Sequence, residues 1–375
     1  MGIIRLLLAI SIVIVHSTPI FNLTFVGGQI AVQTFFIISG FYMSLILNEK
    51  YVGSGSYKLF ISNRFLRLYP IFWAVLILAF LFAGFALFIS HGQNAGSLGS
   101  YMDYLKTGGE ISFWSWCLLI GSNLLLFGQD LIMFLGLNQN TGNLFFTSDF
   151  MQTTPMLYNF LLVPQAWTIG LELLFYLIAP FIVRKSIWTV SLIIAVSFGL
   201  RLYFYSQGLN HDPWTYRFLP FELAFFLLGN IAYRAYQRLK EIKIDTKVLW
   251  STLYLTLGII VIFPLINISH KEFTYFSLFL ILLPFIFILT EKIKWDRSLG
   301  ELSYPVYMCH LLLSAVLVNL PFYKLQYRGI ILAVASITFA ILLNKFVARP
   351  IEKLRQSRIE KFTLKNKKIT EISAL

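Results

Sequence analysis

The chain has 375 residues, of which 58% are hydrophobic and 13% charged, with a mean hydropathy of +0.74. A soluble domain is nearer half apolar and a quarter charged, so this balance excludes an ordinary globular protein and leaves no room for a large soluble domain. The net charge of +13 does not point to nucleic acid, because Lys and Arg sit in short loops between apolar stretches, where they suit anionic membrane lipid.

Apolar stretches of membrane-spanning length predict an all-α, polytopic transmembrane bundle. About ten spans are expected, at roughly 3–20, 28–47, 69–90, 165–183, 187–206, 218–235, 248–267, 273–290, 303–320 and 329–348. An even number places both termini on one face. The loops of that face, with the tail from 349, carry 22 of the 30 basic residues; the opposite loops carry 5. The positive-inside rule makes the richer face, and both termini, cytoplasmic. Residues 1–350 form the membrane domain and 351–375 a basic cytoplasmic tail expected as a surface helix. The first 20 residues lack a small-x-small cleavage site and are expected as a retained helix.

The first span reads Arg5-x10-His16. Eleven helical steps leave these side chains about 20° apart in azimuth and about 16 Å apart along the axis. They share one stripe near opposite ends, as a snorkelling Arg and a packed His would, or as two functional groups facing a polar interior. In the second span, Ser39-Gly40 within Phe35-Phe-Ile-Ile-Ser-Gly-Phe41 offers a small patch that a helix or a thin ligand can approach. Arg64 and Arg67, at i and i+3, share a helix face at the cytoplasmic mouth of span three. Paired guanidiniums suit a phosphate or diphosphate, and equally suit anchoring to lipid headgroups.

Residues 113–135 are apolar enough to span, yet one more crossing there would invert every later loop. A re-entrant or interfacial hairpin is expected instead, broken near Gly121–Asn123 and Gly128–Asp130. The polar, aromatic loop 136–164 is expected to cap the same cavity. Trp167 opens span four as an interface anchor, and Glu172 lies deeper. An unpaired intramembrane carboxylate is costly, so Glu172 is expected beside His16, setting its tautomer. In span nine, Tyr307 and His310 are i, i+3 neighbours placed to meet a cytoplasmic ligand or to pack as core. His91, His211 and His270 fall in outer loops. Cys117 and Cys309 lie far apart in apolar surroundings, so neither disulfide nor metal ligation is expected.

Together these stretches resemble the acyltransferase 3 family of integral membrane O-acyltransferases. Five parts carry the likeness, in order: Arg-x10-His, FFIISGF, RFLRLYP, QAWTIGLELLFYLIAP and LGELSYPVYMCH. Two mild departures are Trp167-Thr-Ile169 where members commonly have WSL, and Leu173 after Glu172. No SGNH esterase-like domain, which some members carry, is expected. The resemblance implies transfer of an acyl group, often acetyl, from acyl-CoA to a hydroxyl of a cell-surface or lipid-linked glycan. It implies that Arg5 and His16 are essential and that Arg64 and Arg67 bind the donor. On this basis His16, Glu172 and Arg5 are the expected catalytic residues. Arg64, Arg67, Ser39, Tyr307 and His310 are the expected donor-binding residues, with no metal. The expected setting is a multi-pass protein of a bacterial inner membrane. A transporter or flippase for a lipid-linked saccharide is the competing reading, since intramembrane Arg, His and Glu suit it as well.

Overall fold

The computed structural model describes residues 1–91, 96–318 and 320–373. Position 319 of the ninth expected span and the last two residues of the expected tail lie outside them.

The architecture is a helical bundle. In chain order its helices are α1 (Gly2–Val15), α2 (Gly27–Glu49), α3 (Ser56–Ile89), α4 (Gly99–Lys106), α5 (Phe113–Leu125), α6 (Trp167–Ile182) and α7 (Ile187–Ser206). Then come α8 (Leu219–Leu239), α9 (Thr246–Ile262), α10 (Lys271–Thr290), α11 (Lys294–Leu317), α12 (Arg328–Leu343) and α13 (Arg349–Ser373). Each expected span coincides with one helix. Among the described residues, seven helical stretches are long and apolar enough to cross a membrane. The strands β1 (Leu135–Leu137) and β2 (Leu144–Phe146) pair antiparallel in the expected capping loop, a small departure from an all-helical chain.

Close backbone contacts fix the bundle's interior. α2 lies against α8 at Gly40 and Gly229. A Cβ on Gly40 would sit 1.7 Å from the Phe226 carbonyl oxygen, and one on Gly229 2.0 Å from that of Ile37. Only hydrogen fits between these helices. The small patch read at Ser39-Gly40 is thus filled at Gly40 by a neighbouring helix.

α1 and α11 run side by side in the same direction, with Gly2 against Gly300 at one end and His16 against His310 at the other. Their N-termini share one carboxylate: Asp296 accepts from the backbone N–H of Gly2 (2.7 Å) and Ile3 (2.9 Å). Negative charge at two helix N-termini opposes both macrodipoles favourably and satisfies donors that α1 cannot satisfy itself.

Two element boundaries depart from expectation with consequences for the site. α11 begins at Lys294, nine residues before the expected 303, so His310 lies about 24 Å along it rather than near its start. α3 begins at Ser56, so Arg64 and Arg67 lie within the helix rather than ahead of it. Of the two breaks expected in the hairpin, one is present. The chain does break at Leu126–Asp130, where Leu126 takes φ +64°. No break occurs at Gly121–Asn123, which lie inside α5. Asn123 spends its polarity sideways instead: its amide donates to the Phe160 carbonyl (3.0 Å) and its oxygen accepts from Leu162 N–H (2.7 Å), tying the hairpin to the capping loop.

Candidate active site

Two polar clusters lie at opposite ends of the stripe that joins Arg5 to His16. The end holding Arg5, Arg64, Arg67 and α13 is the basic end; the other is the distal end.

At the distal end α1 stops at Val15. Ser17, whose hydroxyl donates to Val13 O at 2.8 Å, and Pro19 turn the chain away. His16 is left at the helix tip, exposed, while its neighbour His310 is fully buried. The rings lie 5.0 Å apart, and His310 Nε2 is 3.2 Å from His16 Nδ1. Carbonyl oxygens decide the tautomers. His310 Nδ1 is 2.7 Å from Tyr307 O, and His16 Nδ1 is 2.9 Å from Ile12 O. A carbonyl only accepts, so each Nδ1 carries hydrogen. His310 Nε2 then holds a lone pair and shares the one His16 Nδ1–H with Ile12 O in a three-centre hydrogen bond. The remaining lone pair, on His16 Nε2, belongs to the exposed ring and is available to take a proton.

Behind this pair α11 is locked to the start of α6. Tyr307 OH donates to Gln165 O (2.5 Å), Thr168 OH donates to Tyr307 OH (2.9 Å), and the Gln165 amide donates to Met308 O (2.6 Å). Beside it Arg217 forms a two-pronged ion pair with Asp212 (2.6 and 2.8 Å). Its guanidinium lies over the rings of Trp167 (4.3 Å) and Tyr216 (4.8 Å) and acts electrostatically on His16. With Trp167 buried beneath it, Arg217 gives the distal end a fixed positive charge of its own beside His16.

At the basic end Glu172 accepts from Ser39 Oγ (2.5 Å) and from Tyr176 OH. Arg5 lies over Tyr42 at 6.0 Å and feels the charges of Arg67 and Glu172. Arg64 is buried against Phe60 and Tyr176, while Arg67, one turn on, is exposed. Tyr304 OH donates to Leu68 O (2.7 Å) from the facing helix.

The expected residues are therefore partitioned differently from the sequence reading. Glu172 is hydrogen-bonded to Ser39 and Tyr176, not to His16. His310 is at the distal end against His16, not at the basic mouth, and Tyr307 faces Gln165 and Thr168. The changes at His310 and Tyr307 follow from the earlier start of α11. Arg5, Arg64, Arg67 and Ser39 do gather at the basic end. Four residues were missed: Tyr42, Tyr176, Arg217 and Arg355. Of these only Tyr176, at i+4 from Glu172, had a legible spacing.

The family model described as an acyltransferase domain matches residues 1–345. The chain belongs to the acyltransferase 3 family. Comparison with curated proteins and with solved structures finds no match. Family membership makes the chain a membrane acyltransferase, and the two clusters lie within the matched residues, Arg355 of α13 excepted.

Proposed function

We propose that this acyltransferase moves an acyl group, acetyl in the simplest case, from acyl-CoA at the basic end to a hydroxyl of a cell-surface or lipid-linked glycan at the distal end. The basic end faces the cytoplasm of a bacterial inner membrane. The observation that carries the reading is the His16–His310 pair, which leaves His16 Nε2 unprotonated and exposed at the end remote from Arg5, Arg64 and Arg67.

The length of α1 supports it. Its 14 residues cover about 21 Å, less than the roughly 30 Å of a hydrocarbon core. With the basic end near one membrane surface, His16 sits in a recess below the other. Phosphates of the donor pair with Arg64 and Arg67, and its thioester reaches along the stripe past Ser39, Glu172 and Arg5. His16 Nε2 removes the acceptor's hydroxyl proton as the oxygen attacks the thioester carbonyl. The C–S bond breaks, and the proton held on His16 passes to the CoA thiolate, which leaves as the thiol and returns His16 to its neutral form. His310 stabilises the imidazolium formed on His16; the tautomer, which the sequence reading assigned to Glu172, is set by Ile12 O. Glu172 instead balances the positive charge of Arg5 at the basic end. General base catalysis of this kind contributes about 10²–10⁴-fold.

The test is His16→Ala in proteoliposomes supplied with acetyl-CoA, read as thiol release and as ester on the glycan by mass spectrometry. Transfer is expected to disappear while the protein remains inserted and monodisperse. Wild-type transfer would remove His16 from the mechanism.

A further inference from the structure

The sequence reading treats 351–375 as a basic tail, and the family match ends at residue 345. The structure gives α13 a more specific position. It lies against the cytoplasmic-side start of α3 in the proposed orientation, with Phe362 near Gly55 and Asn366 near Gly53. Arg358 pins it there, donating to Asn63 Oδ1 (3.0 Å) and Ser62 Oγ (2.7 Å), the residues just before Arg64.

This docking carries Arg355 into the Arg64–Arg67 cluster. Arg64 and Arg355 are each only 4% exposed. Both are close enough for their charges to repel, and Arg67 adds to the repulsion. Burial and those like charges hold the Arg355 guanidinium below its ordinary value. One carboxylate, Glu352, pairs with Arg355, and it also accepts from Gln356. Arg64 has no ion pair among the described residues. The Nε of Arg64 and the Nε of Arg355 are both buried without a hydrogen-bond partner among the described residues. Burying cations together with unsatisfied donors is costly unless an anion completes the set. Planar guanidinium forks match phosphate oxygens two at a time.

We infer that Arg355, delivered by α13, joins Arg64 to form a buried site for a phosphate group, that of the acyl donor. The inference rests on the donor reading above. Its own content is that the tail helix is part of the donor site rather than a lipid-facing appendage. A lipid headgroup offers the same phosphate chemistry, and the test separates the two sources.

The full chain is placed in nanodiscs of zwitterionic lipid, and binding of CoA and of pantetheine, which lacks the phosphates, is measured by calorimetry. Losing one charge-assisted contact weakens binding by roughly 10–100-fold. Arg355→Gln is expected to weaken CoA by that factor and to leave pantetheine unchanged, with Arg355→Lys falling between. Should Arg355→Gln fail to fold, hydrogen exchange in wild-type residues 351–364 is read instead, and CoA is expected to slow it. CoA binding that Arg355→Gln leaves intact, or wild-type exchange that CoA leaves unchanged, overturns the role of α13 while the donor reading stands. If wild-type protein ignores CoA yet retains phosphatidylglycerol through Arg355, seen by native mass spectrometry, the site is a lipid site. Both the donor reading and this inference then fail.

Discussion

His310→Leu is the most informative single change, because it keeps roughly the ring's volume while removing the nitrogen that accepts from His16. In the ground state that contact, at 3.2 Å, joins two neutral rings. When His16 takes the acceptor proton, the same hydrogen bond acquires a positive donor inside a buried setting. A hydrogen bond to a charged group contributes about 1.5–3 kcal/mol, and 1.36 kcal/mol is a factor of ten in rate. The expected loss is therefore about 10–150-fold in kcat, with KM for the donor unchanged. It is not larger because Ile12 O, 2.9 Å from Nδ1, still holds His16 in the correct tautomer. His310→Gln presents an oxygen to the same N–H and is expected to recover much of the loss. Steady-state thiol release in proteoliposomes gives both constants. The decisive measurement is the double variant His16→Ala with His310→Leu. If His310 acts through His16, the pair is no slower than His16→Ala alone. Losses that multiply would show that His310 contributes independently and would refute the dyad.

Arg217→Ala removes the cation held over Trp167 and Tyr216, and is expected to raise KM for the glycan several-fold with KM for acyl-CoA unchanged, by initial rates with each substrate varied. Asn123→Leu leaves the Phe160 carbonyl and the Leu162 N–H without their bonds, costing about 1–3 kcal/mol each where buried, and is expected to speed hydrogen exchange across 160–162 before it lowers activity. Gly40→Val drives a side chain into the Phe226 backbone and is expected to cost about 1–3 kcal/mol or more, read as a lower Tm and loss of monodisperse protein. Orientation is read by impermeant maleimide on intact cells in a Cys117→Ser background. Asn140→Cys is expected to label and Ser54→Cys only after permeabilisation; the reverse pattern would invert the proposed direction of transfer.

The extent to which the site could be read from sequence depends on how each residue meets its partner. Arg5 and His16 were legible because they sit on one helix, where period alone fixes their relation. Arg64 and Arg67 were legible for the same reason, and the bundle itself was legible because lipid permits little else. Pairings between helices were not. His16 lies 294 positions from His310 in the chain, and their meeting depends on α1 and α11 running parallel from the shared Asp296 carboxylate. The apolar stretch of span nine begins near Ser303. The helix itself starts at Lys294 with Trp-Asp-Arg-Ser-Leu-Gly-Glu, polar residues that a hydropathy window discards. Those nine residues add about 13 Å at helical rise, and that length carries His310 from the expected basic mouth to the far end. The same logic hid Arg355. A charged helix beyond the last span reads as solvated tail, and only the anchoring of Arg358 on Ser62 and Asn63 turns its neighbour one turn earlier toward Arg64. In a membrane enzyme the hydropathy that reveals each span thus conceals the amphipathic extensions that set its register, and here His310 and Arg355 hang on such extensions.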